Sequence, residues 1–157
     1  MIRRVLLVCS GNTCRSPMAE ALMKDLWQKA SPGWDLEVSS AGTGAMPGDV
    51  ASQHAVTAMR TRGLDMAGHR SRRVDSLNLT SFDLILTMTS RHREHLLGRW
   101  PELAGRVYTL GEYAGAGDDI SDPFGGTLQD YESTAVALEA KLQAVVDRIR
   151  KEGASSQ

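Results

Sequence analysis

The sequence is poor in cysteine and has no long apolar run. It contains two cysteines among 157 residues. A transmembrane helix needs about 20 apolar residues, and the run Val5–Cys9 is also too short for the core of a signal peptide. We therefore expect a cytoplasmic protein. In that compartment a pair of cysteines is more often catalytic, redox-active or metal-bound than joined in a structural disulfide.

The sequence has no large excess of positive or negative charge. The 18 Lys and Arg residues oppose 19 Asp and Glu residues, which gives a formal net charge of −1. This balance argues against a dedicated binder of nucleic acid or of anionic membranes. A chain of this length buries roughly 70% of its unfolded surface, so its core needs no crosslink. We expect a single domain over residues 1–152 and a small, polar, flexible tail over residues 153–157.

Strand and helix patterns alternate along the chain. Short apolar runs predict strands at Val5–Val8, Asp35–Ser40, Phe82–Thr87 and Val107–Leu110. Helical patterns predict a helix with Ser16 as its N-cap that ends at Ser31, and further helices at Val50–Arg62, Ser90–Leu97 and Gln129–Lys151, with a loop over Gly111–Gly126. This alternation predicts an α/β three-layer sandwich, in which helices flank a four-stranded parallel sheet.

The most informative segment follows the first predicted strand and reads C-S-G-N-T-C-R-S, from Cys9 to Ser16. Backbone N–H groups between a strand and a helix start can converge on an anion. Gly11 and Asn12 tolerate the left-handed backbone that such a turn requires. The segment lacks the Gly-Lys-Ser/Thr ending of the nucleotide-binding P-loop. It therefore predicts a phosphate-binding loop of another kind.

Cys9 and Arg15 give this loop its chemistry. A cysteine beside inward N–H groups and a helix N-terminus is expected to have a depressed pKa and to react as a thiolate. The planar guanidinium of Arg15 can hold two phosphoryl oxygens at once. The alternative is that neither residue has a catalytic role: Cys9 is then a buried residue at the end of a strand, and Arg15 a solvated residue of the helix. The preceding strand, the Gly-Asn pair and the following Ser-Pro favour a nucleophile in a phosphate cradle.

The run C-S-G-N-T-C-R-S-P-M-A-E-A resembles the signature of the low-molecular-weight protein-tyrosine phosphatases. Ser40–Thr43, Phe82–Leu86 and the pair Asp122-Pro123 agree with that resemblance, which spans about residues 2 to 150. Within the family, the chain is most similar to the bacterial protein-arginine phosphatases, through Thr13 and the run Asp122–Gly126.

The resemblance implies a role for several side chains. Asp122 matches the general acid that protonates the leaving atom, although an Asp before Pro is often only a turn residue. Ser16 matches the residue that stabilises the thiolate. Asn12 matches a residue that holds the loop in shape, with partners at Ser40 and His69.

The same resemblance implies a substrate. The positions expected to contact it are Ser10, Gly11, Asn12, Thr13, Cys14, Arg15 and Phe124. Thr13 replaces the aliphatic residue usual in tyrosine phosphatases, and glycines follow Phe124 where a second aromatic residue often stands. Both changes weaken a pocket for a phenyl ring. We expect a phosphatase that hydrolyses protein phosphoarginine through a phosphocysteine intermediate.

Rival functions remain open. The alternative enzyme is a phosphotyrosine protein phosphatase, and a less likely reading is a non-catalytic phosphate-binding module. Arsenate reductases of this fold relay a disulfide through additional cysteines, which this chain lacks. The expected partners are phosphorylated proteins and phosphate-like oxyanions, with no metal or organic cofactor.

Other polar residues have less certain roles. In this family a cysteine at the Cys14 position can form a reversible disulfide with the nucleophile, or Cys14 is a small apolar filler. His92 and His95 have the spacing of metal ligands, but a solvated helix face is the favoured interpretation. The basic patch of Arg70, Arg72 and Arg73 is either plain surface or an attraction for acidic substrate segments.

Overall fold

Four parallel strands form the centre of the protein in a computed structural model that describes residues 1–155. The strands are β1 (Arg4–Cys9), β2 (Glu37–Gly42), β3 (Leu84–Thr87) and β4 (Val107–Thr109), in the order β2-β1-β3-β4. The helices are α1 (Arg15–Ala30), α2 (Gln53–Arg60), α3 (Ser90–Arg99), α4 (Leu110–Ala114) and α5 (Leu128–Ser155). Single 3₁₀ turns lie at Val74–Ser76, Leu79–Ser81 and Pro101–Leu103. The predicted parallel α/β fold is confirmed.

Alternate side chains of β1 point into two separate cores. Val5 and Leu7 pack in a cluster with residues of α1 and α5, and Leu6 and Val8 pack in a second cluster with Leu96 of α3. Both faces of the central strand are therefore buried under helices, which is why its sequence is a continuous apolar run. None of the helices within the described part of the chain is long and apolar enough to cross a membrane.

Several predicted boundaries are wrong. Helix α1 begins at Arg15, so Ser16 lies inside its first turn instead of capping it; the N-cap residue is Cys14, with no side-chain cap. Strand β2 includes Gly42, which the sequence suggested was loop. Helix α4 was missed in a segment predicted to be a loop, although Thr109 and Glu112 form a capping box at its start.

The last helix extends further than predicted. Helix α5 continues through Gly153 to Ser155, where the sequence suggested a flexible tail. Gly153 is buried because it packs against the ring of Trp34. The remaining tail residues, Ser156 and Gln157, lie outside the described residues.

The strand register places two loops side by side at the carboxyl edge of the sheet. Cys9, at the end of β1, pairs with Gly42 of β2, and Val8 pairs with Thr87 at the end of β3. The segments that follow β1 and β3 therefore emerge as neighbours. Ligands of parallel α/β sheets bind at this edge.

Candidate active site

The segment between β1 and α1 forms a tight loop around the Cys9 sulfur. Cys9 is 2% exposed and follows directly from the buried strand. Asn12 has a φ angle of 56° and is fully buried, so a non-glycine residue adopts the left-handed conformation here. Such a conformation is retained only where surrounding contacts fix it.

Those contacts come mainly from the Asn12 side chain. Its Nδ2 donates to Ser16 Oγ at 2.8 Å and to Ser40 Oγ at 3.0 Å, and its Oδ1 accepts from the Arg72 backbone N–H at 3.0 Å. The carbonyl oxygen of Asn12 lies 2.7 Å from His69 Nε2. The structure thus places Ser40 and His69 beside Asn12, where the resemblance put them. It adds Arg72, whose Nε also donates to the Ser40 carbonyl oxygen at 3.0 Å.

The Cys9 thiol experiences opposing electrostatic effects. Burial raises its pKa, while the Ser16 hydroxyl, the backbone N–H groups of Ser16 and Asn12, and the charge of Arg15 act in the opposite direction. The Ser16 hydroxyl oxygen lies 2.9 Å from the sulfur. The expectation of a depressed pKa is wrong, because desolvation at the buried strand end is the larger effect. The hydrogen bonds from Ser16 and Asn12 and the charge of Arg15 make the rise in the pKa of Cys9 smaller than burial alone would cause.

Arg15 connects the loop to the segment that carries Asp122. The guanidinium is nearly buried, and its Nη1 donates to the Ile120 carbonyl oxygen at 2.9 Å. Its Nη2 lies 3.5 Å from Asp122 Oδ2, and that carboxylate is about half exposed, at 49%. The other carboxylate oxygen accepts from the Phe124 N–H at 3.1 Å, which fixes the turn. The nearby Asp119 instead accepts from the Ser90 N–H.

A cavity of about 230 Å³ brings most of the predicted residues together, but Ser10 and the buried Asn12 do not line it. Its volume lies below the range usual for drug-sized ligands and suits a small charged group. Its lining residues are Cys9, Gly11, Thr13, Cys14, Arg15, Asp122 and Phe124. The candidate nucleophile, clamp and acid thus face one space, and the exposed Phe124 ring stands at its rim.

Cys14 is buried but has polar neighbours. Its sulfur lies 3.4 Å from Ser52 Oγ and 3.3 Å from the Tyr131 hydroxyl oxygen. Burial raises the pKa of Tyr131, and the contact with Cys14 adds to that rise. These contacts argue against a purely apolar filler. Ser52 and Tyr131 lie far from Cys14 in the sequence, so no motif indicated that they contact its sulfur. Both cysteines are free thiols, so the disulfide between Cys9 and Cys14 stays a prediction.

His92 was wrongly interpreted as part of a solvated helix face. Its side chain is buried, with Nε2 2.7 Å from Ser10 Oγ and Nδ1 2.9 Å from Thr89 Oγ1. His95, one turn further along α3, is exposed as expected. The missed signal is that Thr89, the N-cap of α3, follows closely after the end of β3 in the sequence. Residue 92, in the first turn of α3, is therefore placed beside the loop that follows the neighbouring strand β1. Within residues 1–155, no three His, Cys, Asp or Glu side chains are grouped as metal ligands.

Comparison with known proteins agrees with this site. A family model described as low molecular weight phosphotyrosine protein phosphatase matches residues 4–155. The protein-arginine-phosphatase of Geobacillus stearothermophilus is 37% identical over 150 residues, covering 95% of this chain and 97% of the relative. The probable low molecular weight protein-tyrosine-phosphatase EpsP of Ralstonia solanacearum is 37% identical over 153 residues, covering 98% of this chain and all of the relative (100%).

A solved structure adds a chemical detail. It is a cysteine-to-serine variant of YwlE arginine phosphatase with a phosphorylated active-site serine. Its sequence is 36% identical to this chain and its TM-score is 0.89, and the match covers 94% of this chain and 96% of the YwlE chain. The match extends over sequence, fold and the loop after β1. This chain belongs to the low molecular weight phosphotyrosine protein phosphatase family.

Proposed function

We propose that the protein is a cysteine-dependent phosphatase that removes phosphate from phosphoarginine in proteins. The observation that carries the proposal is the shared cavity, which is lined by Cys9, Arg15 and Asp122 together. A phosphate-binding module without catalysis would need neither the nucleophile nor the acid. The phosphorylated serine in the related YwlE variant supports an intermediate carried on residue 9.

The first chemical step transfers the phosphoryl group to sulfur. The Cys9 thiolate attacks phosphorus, an S–P bond forms, and the P–N bond to the substrate guanidino group breaks. Arg15 and the loop N–H groups stabilise the charge on the phosphoryl oxygens. Asp122, protonated at this stage, gives its proton to the leaving nitrogen.

The second step hydrolyses the phosphocysteine. The Asp122 carboxylate takes a proton from a water molecule, which attacks phosphorus as the P–S bond breaks. Inorganic phosphate leaves and the thiolate is regenerated. The Ser16 hydroxyl, 2.9 Å from the sulfur, stabilises that thiolate as the leaving group.

Two features of the cavity favour the arginine substrate. Thr13 places a β-branched side chain with a hydroxyl on the cavity wall, where it narrows the entrance for a phenyl ring. Once Asp122 has given up its proton, its carboxylate attracts the departing guanidinium but gains nothing from a phenol. Gly125 and Gly126 follow Phe124, so a second aromatic ring that would stack on a substrate phenyl group is lacking in this turn.

Phosphotyrosine is the second candidate substrate. The observation in its favour is Phe124, which lines the cavity and is 75% exposed, so that its ring is available to a substrate aromatic group. Relatives named for each activity have the same identity to this chain, 37%. Overall similarity therefore does not choose between the two substrates.

Matched peptides decide between them. The kcat/KM for a phosphoarginine peptide is expected to exceed that for a phosphotyrosine peptide of the same flanking sequence at neutral pH. Thr13→Ile keeps the branching and loses the hydroxyl, so it should shift the ratio toward phosphotyrosine by about ten- to a hundredfold. Cys9→Ser, which lacks the proposed nucleophile, is the negative control for hydrolysis of both peptides. A wild-type preference for phosphotyrosine would contradict the arginine assignment.

The proposed setting is the cytoplasm. Both cysteines are free thiols, and a free catalytic thiol is maintained in a reducing compartment. The substrates there would be phosphorylated proteins.

A further inference from the structure

A buried imidazole contacts the phosphate-binding loop from the side opposite to Asn12. His92 is 5% exposed, and its Nε2 lies 2.7 Å from the Ser10 hydroxyl oxygen. Ser10 directly follows Cys9. Its side chain lies outside the network that connects Asn12 with Ser16, Ser40 and His69.

We propose that His92 is a positioning residue: its ring holds the Ser10 hydroxyl, and through it the first turn of the phosphate-binding loop, in the geometry that binds phosphate. The inference rests on the proposed phosphatase function and deepens it. It gives the β3–α3 connection a role in a loop that belongs to β1 and α1. The loop is then fixed on both sides of the Cys9 sulfur.

Ser10 needs this second attachment because it is not held by burial. The residue is exposed, while its carbonyl oxygen accepts from the Gly44 N–H at 3.0 Å. That contact restrains one peptide group only. The hydrogen bond to His92 restrains the side chain, and the two together fix the direction of the chain as it leaves Cys9.

The ring is itself held in one orientation. Its Nδ1 lies 2.9 Å from Thr89 Oγ1, and the same oxygen accepts from the His92 backbone N–H at 3.2 Å. We assign the hydrogen bond to the Thr89 hydroxyl as donor and Nδ1 as acceptor, which fixes the tautomer of the ring. Nε2 then carries the ring proton and donates to Ser10 Oγ, which leaves the Ser10 hydroxyl hydrogen free for the adjoining cleft.

That cleft adjoins the catalytic cavity. It has a volume of about 390 Å³, and its lining includes Ser10 and His92 together with Arg15 and Asp122. Burial lowers the pKa of His92 to about 4, and the charge of Arg15 acts in the same direction. The ring is therefore neutral at neutral pH and adds no charge beside the clamp.

Capping of α3 does not require the ring. Thr89 caps the helix through the backbone N–H of His92, which every amino acid except proline retains. Removal of the imidazole therefore tests the contact with Ser10 and leaves this cap intact. A role in helix stability alone would leave phosphate binding unchanged.

The test is the affinity for inorganic phosphate, measured by titration calorimetry on the full chain. His92→Ala and Ser10→Ala are each expected to weaken binding by roughly three- to tenfold, the value of one hydrogen bond. The double variant should bind no more weakly than the weaker single variant, because both remove the same interaction. His92→Gln, which retains an N–H donor at similar reach, should restore most of the affinity.

His95→Ala is the matched control, because it removes an exposed imidazole from the same helix and should leave phosphate affinity unchanged. Additive losses in the double variant, or unchanged affinity in His92→Ala with a lower Tm, would overturn the proposal. If His92→Ala does not fold, unchanged affinity in Ser10→Ala overturns it equally. Phosphate binding needs no turnover, so failure to hydrolyse either phosphopeptide would refute the proposed function while this test still stands.

Discussion

At the scale of single residues, the reactivity of Cys9 depends on a small set of contacts that oppose the effect of burial. Desolvation disfavours the thiolate, and the Ser16 hydroxyl, 2.9 Å away, favours it. Ser16 also accepts from Asn12 Nδ2, so the residue that shapes the loop orients the group that stabilises the sulfur. The shape of the loop and the electrostatic stabilisation of the Cys9 sulfur therefore depend on the same hydrogen bonds.

Ser16→Ala tests this coupling through pH dependence. Loss of the hydroxyl raises the pKa of Cys9 further, so less thiolate exists at a given pH. The midpoint of Cys9 alkylation by iodoacetamide should move to higher pH by roughly one unit, because a hydrogen bond to a charged group has about that free energy. Ser133→Ala, at an exposed serine of α5, is the control. An unchanged midpoint would show that Ser16 does not stabilise the thiolate.

Asp122→Asn tests the general acid. The variant should lower kcat for phosphoarginine peptides by roughly 10² to 10⁴, the usual contribution of acid–base catalysis. The loss should be much smaller for 4-nitrophenyl phosphate, whose leaving group needs no proton. Asp118→Asn changes an exposed carboxylate of the same loop and should have little effect. Equal losses on both substrates would assign Asp122 to positioning instead.

Cys9 and Arg15 could be named from the motif of one loop, and Asp122 through the family resemblance of the pair Asp122-Pro123. The pKa direction of Cys9 could not, because it depends on how deeply the end of β1 is buried. The role of His92 was missed for a related reason. Its side chain is placed by the packing of α3 beside the loop, and residue spacing alone resembled a surface pair.

At the scale of elements, β2 acts as a template for the loop. Gly42 pairs with Cys9, and its Cα faces the carbonyl oxygen of Ser10 and the N–H of Asn12. A methyl group at this position would lie 3.1 Å from the Asn12 nitrogen and in closer conflict with the Ser10 oxygen. The close approach explains why a glycine ends this strand.

Gly42→Ala is therefore expected to displace the loop. Overpacking of this kind costs about 1–3 kcal/mol, and because the displaced backbone belongs to the phosphate-binding loop, kcat/KM should fall by at least roughly tenfold. Gly44→Ala is a matched control two residues on, where an added methyl group meets nothing within 4 Å. Wild-type activity in Gly42→Ala would show that the loop adapts without loss.

Element type was easier to predict than element boundaries. The apolar run of β1 and the helical pattern of α5 identified both elements. Each pattern persists over the whole element, because β1 is buried along its length and α5 packs one face against the core. Helix α4 was missed since its five residues are too few for a period, and its capping box lies across the end of β4. Strand β2 was predicted to begin and end too early. Ala41 and Gly42 have weak strand preference, but their pairing with β1 places them in the strand.

At the scale of the whole molecule, the parallel sheet places the ends of β1 and β3 side by side. The acid loop reaches the same edge, because Arg15 binds the Ile120 carbonyl oxygen and Ile120 donates its N–H to the Met88 carbonyl oxygen. The catalytic groups therefore meet through contacts between segments far apart in the chain. Sequence patterns predicted a four-stranded parallel sheet with the phosphate-binding loop after its first strand, but neither the strand order nor these hydrogen bonds.

Burial of a neutral histidine at this junction makes stability depend on pH. His92 has a pKa of about 4 in the folded protein, against its ordinary value of 6.5. Between these values the unfolded chain binds more protons, so the free energy of unfolding should fall as pH is lowered from 6.5 to 4, by up to about 3 kcal/mol. His92→Gln removes this titrating group, so the free energy of unfolding, measured by urea denaturation, should fall less over that range than in the wild type, by the contribution of His92.

The same measurement separates His92 from the carboxylates. Hydrogen bonding by Arg99 lowers the pKa of Asp75, and the Thr109 N–H lowers that of Glu112, so their contributions are lost only at pH values below those of ordinary carboxyls. Wild type and His92→Gln should lose these contributions equally. His95→Gln should retain the full slope between pH 6.5 and 4. An equal slope in wild type and His92→Gln would mean that the pKa of His92 is the same in the folded and the unfolded protein, which its burial argues against.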